Sequence, residues 1–253
     1  MKFRTIRRII YLKKARYRKG HGIHSPFLFH LITEIIENRR SLPEYKIFKN
    51  LKEQAFKLLC DCSDPYLEIV YNQFSLPASK PRRLYRKIEL APRYGKVVFR
   101  LLREFKPSSV ASYGPTFGAN LALMALANND CPVYQLIENH SCDLISKELI
   151  TDLVISNVHY LHVDAELSTK PEFVIVNYPV NPDASRNVVQ KYLQLHGNDD
   201  VLIIRGIHES NEMEAIWQEM VSNENVRVSL DLFEIGIALF RKGLQKENFI
   251  FKF

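Results

Sequence analysis

Residues 109–120 read SVASYGPTFGAN. Val110 to Tyr113 make a short run suited to a buried strand. Gly114 and Gly118 bracket a turn, and Ala119 onward, ANLALMALA, is apolar and helix-forming. The stretch therefore predicts strand, glycine turn and helix start in immediate succession.

The same alternation continues downstream. Short apolar runs predict strands at 109–113, 133–137 (VYQLI), 158–163 (VHYLHV), 173–177 (FVIVN) and 201–205 (VLIIR). Helical spacing fills most of the gaps, at 118–127, 142–153 and 184–195, and NEMEAIWQEMV follows the fifth strand. Two further runs, VRVSLDLF and IGIALFRK, stand too close together for a helical crossover and should pair antiparallel. Five β-α units ending in a hairpin indicate an α/β, doubly wound sheet. In such a sheet ligands bind beyond the carboxyl ends of the strands, where strand order reverses. That rule selects Tyr113 to Gly118, Glu138, Asp164, Asn177 with Tyr178, and Arg205 to His208.

Upstream of Pro107 the signals are helical. In HSPFLFHLITEIIENRR, Ser25 is placed to cap a helix with Pro26 at its first position. In YGKVVFRLLREF, apolar residues recur from Tyr94 to Phe105 on one face. Between these, SDPYLEIVYNQFSLPASKPRR reads as a long irregular loop. The chain is expected to divide into a basic helical extension or cover, residues 1–93, and an α/β domain, residues 94–253.

Charge is unevenly spread. Residues 1–40 carry net +9, residues 80–106 net +8 and residues 107–253 net −9. The segments 1–20 and 80–106 could meet a polyanion or pair with the acidic half of the chain. Residues 1–20 hold nine basic side chains and no acid, with a thin apolar face at Phe3, Ile6 and Ile10 that argues against stable membrane insertion. No apolar run approaches the ~18 residues of a membrane span, and Ile9-Ile10 is far short of a signal-peptide core. Cys60, Cys62, Cys131 and Cys142 form no CxxC pair and read as reduced thiols, so a cytoplasmic protein is expected.

Taken together, the glycines, the acids after the second and third strands and the terminal hairpin resemble the class I S-adenosylmethionine-dependent methyltransferases. The likeness is greatest to small-molecule O-methyltransferases of the catechol and caffeoyl-CoA type. HGIHSPFLF and YGKVVFRLLREFKPSS also resemble a group of uncharacterised bacterial methyltransferase-like proteins. The resemblance implies a Rossmann-like sheet of seven strands, order 3-2-1-4-5-7-6, the last antiparallel, with S-adenosylmethionine as cofactor. It assigns cofactor contacts to Tyr113, Gly114, Gly118, Glu138, Asp164, Ala165 and Asn177. Where the family's first motif has an acid, this chain has Ser112. Where metal-dependent members have carboxylates, it has Asn177, Arg205 and Gly206, which implies no metal. Loss of one carboxylate near a sulfonium, at ~6 Å and an effective dielectric of ~20, removes about 2–3 kcal/mol of attraction.

The resemblance leaves two functions open. One is metal-independent methyl transfer to a small acceptor, with His208 as general base and Arg205 positioning the substrate. The other is a degenerate methyltransferase fold that binds a nucleoside or polyanion without turnover. For Arg205 an ion pair with Glu209 or Glu212 stands as the alternative role, and for His208 a capping role. His21 and His24 have a metal-like spacing that also suits a helix-entry turn.

Overall fold

A computed structural model describes residues 2–15, 22–137, 141–167, 169–177 and 182–253, and places the strands where the apolar runs predict them. The sheet order is β3-β2-β1-β4-β5-β7-β6-β8, the Rossmann-like order expected from sequence with one strand added. The chain divides into two compact units, Arg40–Pro171 and Met1–Arg39 with Glu172–Phe253.

The unit Arg40–Pro171 contains α3 (Glu44–Asp61), α4 (Tyr66–Gln73), α5 (Pro81–Ile88), α6 (Pro92–Phe105), β1 (Val110–Tyr113), α7 (Ala119–Ala125), β2 (Val133–Ile137), α8 (Ser141–Asp152) and β3 (Val158–His162). The three strands are parallel, with Val110 opposite Val133 and Val133 opposite Val158. Pro92 starts α6 at its first turn, and Lys106 ends it in a left-handed conformation, φ 45°, just before Pro107. Tyr94, Val97, Val98, Leu101 and Leu102 are its buried stripe. α3 buries Phe48, Leu51, Ala55 and Leu59 and packs against α7 and α8.

The segment 63–83 is not an irregular loop. α4 and the start of α5 lie within it, and Leu67, Val70 and Tyr71 are buried at i, i+3 and i+4. Two of the segment's three prolines sit at helix starts, Pro65 before α4 and Pro81 in the first turn of α5, where no backbone donor is lost, and Pro77 lies in the connection between the two helices.

The other unit contains α1 (Lys2–Lys14), α2 (Pro26–His30) running into a π-helical turn (Leu31–Ile36), β4 (Phe173–Val176), α9 (Pro182–Leu195), β5 (Val201–Arg205), α10 (Asn211–Ser222), β6 (Val228–Asp231), β7 (Ile235–Leu239) and β8 (Glu247–Ile250). Ser25 caps α2 as expected, its Oγ accepting from Leu28 N at 3.4 Å. β4 and β5 are parallel, β7 is antiparallel to both β5 and β6, and the β6–β7 hairpin forms as the short spacing requires. β8 is the added strand, parallel to β6, so the sheet has eight strands rather than seven. Its flank buries Phe249 and Phe251. Gly236 on β7 lies flat against Trp217 of α10: a Cβ there would stand 2.2 Å from the indole Cζ3.

Candidate functional site

The turn after β1 lies wholly within the unit Arg40–Pro171. Gly114 and Gly118 both have left-handed backbones, φ 90° and 98°. Gly118 is also a point of close approach, since a Cβ would meet Ser146 Cα of α8 at 3.1 Å. Glycine is needed there on both counts. Gln135 of β2 donates through Nε2 to the Gly114 carbonyl at 2.6 Å and holds the turn to the sheet. Tyr113 is half-buried at its start, with burial pushing the phenol pKa up. Ser112, where an acid was noted as missing, is fully buried.

A carboxylate that sequence reading passed over organises this turn. Glu89, only 2% exposed, follows α5 directly. Its Oε1 accepts from Thr116 Oγ1 (2.9 Å) and Phe117 N (2.8 Å), and its Oε2 from Asn120 N (3.1 Å) and Asn120 Nδ2. Thr116 Oγ1 in turn accepts from Gly118 N at 3.0 Å. Lys52 Nζ stands 3.9 Å from Oε2 and donates to Leu90 O at 2.6 Å. Glu89 thus satisfies the Thr116 hydroxyl and the Phe117 and Asn120 N–H groups, and Thr116 satisfies Gly118 N, which fixes the turn's shape.

Glu138 lies outside the described residues, as do His21 and Tyr178. Asp164 follows β3 in a short turn, its side chain 87% exposed and its Oδ2 3.3 Å from His162 Nδ1. Ala165 N donates to His162 O at 2.9 Å. Near the start of α8, Asp143 is 1% exposed, and neither carboxylate oxygen accepts a hydrogen bond. Burial pushes its pKa up to about 7, against the opposing pull of Lys147.

The remaining predicted residues belong to the other unit. Asn177 follows β4 and is buried. Arg205, at the end of β5, is 1% exposed, and its Nη2 faces Glu234 Oε1 at 3.5 Å. Glu234 belongs to the β6–β7 turn and is brought close because β7 pairs with β5. His208 Nε2 donates to Asp231 Oδ2 at 2.8 Å, an assignment fixed by the carboxylate's being an acceptor only. Asp231 Oδ1 accepts from Phe233 N at 2.8 Å, so the carboxylate is itself held. Phe233 stacks on the imidazole (centroids 5.3 Å apart), and Tyr11 of α1 meets it edge-on at 5.9 Å. The Nδ1 side looks toward Glu214 Oε1 at 3.9 Å, and Glu214 is ion-paired with Arg7. Asp231 and Phe233 were not singled out from sequence; the polar Asp closing an apolar strand was the available signal.

Asn177 offers one neutral oxygen, and Arg205 brings a positive charge. Among the described residues no three His, Cys, Asp or Glu side chains cluster as metal ligands, and no helix is long and apolar enough to cross a membrane. Cys60, Cys62 and Cys131 are free thiols.

No family model matches the chain. No curated protein matches it in sequence. Solved structures do match. The S-adenosylhomocysteine-bound methyltransferase PaMTH1 of Podospora anserina is 11% identical over 87% of this chain and 97% of its own, with a TM-score of 0.58. The O-methyltransferase TomG of Streptomyces achromogenes, solved with S-adenosylmethionine, is 14% identical over 71% and 91%, TM-score 0.53. The O-methyltransferase of Bacillus cereus in complex with S-adenosylhomocysteine is 13% identical over 70% and 92%, TM-score 0.53. At these identities the likeness is one of fold: the chain has the Rossmann-like fold of class I S-adenosylmethionine-dependent methyltransferases, in a divergent sequence.

Proposed function

We propose that the chain is a methyltransferase that uses S-adenosylmethionine, without a metal, to methylate a small hydroxyl-bearing acceptor. The observation that supports the reading is the turn after β1, the strand end to which the resemblance assigns the cofactor, where Gly114 and Gly118 keep left-handed backbones. The residues present fit a nucleoside there. At Gly114 the turn presents backbone with no side chain, and Asp164 is exposed and able to accept from a nucleoside donor. The solved neighbours that carry S-adenosylmethionine or its demethylated product support this cofactor.

When bound, the cofactor supplies an electrophilic methyl group on a sulfonium sulfur. His208 would accept the acceptor hydroxyl's proton at Nδ1, because Nε2 is committed to Asp231. Asp231 orients the ring and stabilises the imidazolium formed. Arg205, neutralised in part by Glu234, would position an anionic group of the acceptor. The free thiols accord with a reducing, cytoplasmic setting.

Tritiated S-adenosylmethionine offered with a panel of phenols and hydroxy acids tests the reading. His208→Gln should lower kcat about 10²–10⁴-fold while leaving S-adenosylhomocysteine affinity unchanged. Equal turnover in the variant refutes the role of His208. A second reading, nucleoside or polyanion binding without turnover, draws on one observation: Glu89 takes the N–H groups of Phe117 and Asn120, so fewer turn donors remain to fix a cofactor for methyl transfer. It requires such binding with no methyl transfer to any acceptor.

A further inference from the structure

α1 docks on its own unit by the face that carries its charges. Arg4 pairs with Glu209 at 2.7 Å and reaches Glu234 at 3.9 Å. Arg7 pairs with Glu214 and donates to Asn211 at 2.8 Å. Arg4 and Arg8 lie over the Phe233 ring, each 5.9 Å from its centroid, and Tyr11, 4% exposed, donates to the Phe251 carbonyl. Positions 4, 7, 8 and 11 form one helical stripe, the one that contacts the rest of the unit, with Tyr11 buried, Arg7 half-buried and Arg4 and Arg8 at its exposed margin.

The opposite stripe is apolar and faces water. Ile6, Ile9 and Ile10 are 56%, 52% and 47% exposed, and Leu12 beside them is 41% exposed. An amphipathic helix of a globular protein ordinarily docks the other way round, apolar stripe inward. Ile9 widens the thin apolar face read from sequence, and the geometry turns that face outward. Lys13 and Lys14 close the helix, both exposed and without an ion pair among the described residues. The sequence beyond adds Arg16, Arg18 and Lys19, and no acid occurs before Glu34.

We propose that α1 is an interfacial helix that seats the protein reversibly on an anionic lipid bilayer. Ile6, Ile9, Ile10 and Leu12 enter the boundary between headgroups and acyl chains, and Lys13 and Lys14 meet the lipid phosphates. The chemistry separates this partner from two others. A nucleic acid gives four aliphatic side chains nothing to bind, since its readers use phosphate contacts and aromatic stacking. A second copy would bring like charges together at Lys13 and Lys14. A helix of 13 residues is too short to span a membrane, so it lies on the surface.

Co-sedimentation of the full chain with vesicles tests this, comparing equimolar phosphatidylglycerol and phosphatidylcholine with phosphatidylcholine alone. The wild-type protein should sediment with the anionic vesicles and stay in solution with the neutral ones. Ile6→Asn, Ile9→Asn and Ile10→Asn together should cut binding more than about tenfold, and Lys13→Glu with Lys14→Glu should do likewise. All five side chains are exposed, so both variants should melt as the wild type does. The proposal is overturned if wild-type protein ignores anionic vesicles, binds both kinds equally, or keeps its binding in the isoleucine variant. A dimer that the isoleucine variant loses, with no vesicle binding by the wild type, would assign the face to a second copy and overturn it also.

Discussion

Replacing Glu89 by Gln should unfasten the turn after β1 at a cost that can be worked from its contacts. The amide oxygen can keep the bonds from Thr116 Oγ1 and Phe117 N. The amide NH₂, however, must then face Asn120 N and Asn120 Nδ2, two donors that now have a carboxylate oxygen. Orphaning two buried donors costs about 1–3 kcal/mol each. Removing one partner of a buried charged pair, here with Lys52, costs about 3–5 kcal/mol in all. The two estimates overlap, so about 3–5 kcal/mol is expected. With a urea m-value of about 2–3 kcal/mol/M, the unfolding midpoint should fall by about 1–2 M with m unchanged. Amide exchange at Phe117 and Asn120 should quicken by about a hundredfold or more, at ~1.4 kcal/mol per tenfold. Lys52→Met is the control: it removes the cation 3.9 Å from Oε2 but leaves Glu89 its four nearer donors, so it should cost less than Glu89→Gln. A Glu89→Gln cost under about 1 kcal/mol, or a larger effect from Lys52→Met, would refute the assignment of Glu89 as the organiser of the turn.

Other substitutions probe separate features. Asp143, its pKa raised by burial to about 7 from an ordinary 3.8, favours the protonated folded state, so its contribution to stability falls as pH rises from about 4 to 7 and levels off above. Asp143→Asn should therefore gain on the wild type across that window, by up to about 4 kcal/mol at ~1.4 kcal/mol per pH unit; a difference constant with pH would refute this. Gly236→Ala forces a methyl group into the Trp217 indole and should cost about 3 kcal/mol or more, read from the emission of Trp217, the chain's one tryptophan. An unchanged urea midpoint would contradict the packing described.

Much of the fold was legible because buried parallel strands appear in sequence as short apolar runs. FVIV and VLII carry that signal unambiguously, and both strands are buried throughout. α4 was hidden by prolines that begin helices rather than break them. β8 was hidden because only Phe249 and Phe251 of its stretch face the core, too few for a periodic signal. At the site, Gly114 and Gly118 were readable because a turn of that shape demands glycine. Glu89 was not, because its partners stand 27–31 residues away and no local pattern ties them. Only its place between Ile88 and Leu90, two buried residues, marked it as an acid drawn inside. Likewise His208 acquires Asp231 through the pairing of β6 with β7 and β7 with β5, a long-range consequence of the sheet.

Calorimetric titration of the purified protein with S-adenosylmethionine and, separately, with S-adenosylhomocysteine tests the central claim most directly. A cofactor site on the turn after β1 requires saturable 1:1 binding of both. Because the resemblance expects an acid where this chain has Ser112, the product, which lacks the sulfonium charge, should bind the more tightly. Absence of heat with either ligand would contradict the account and leave the fold without its cofactor.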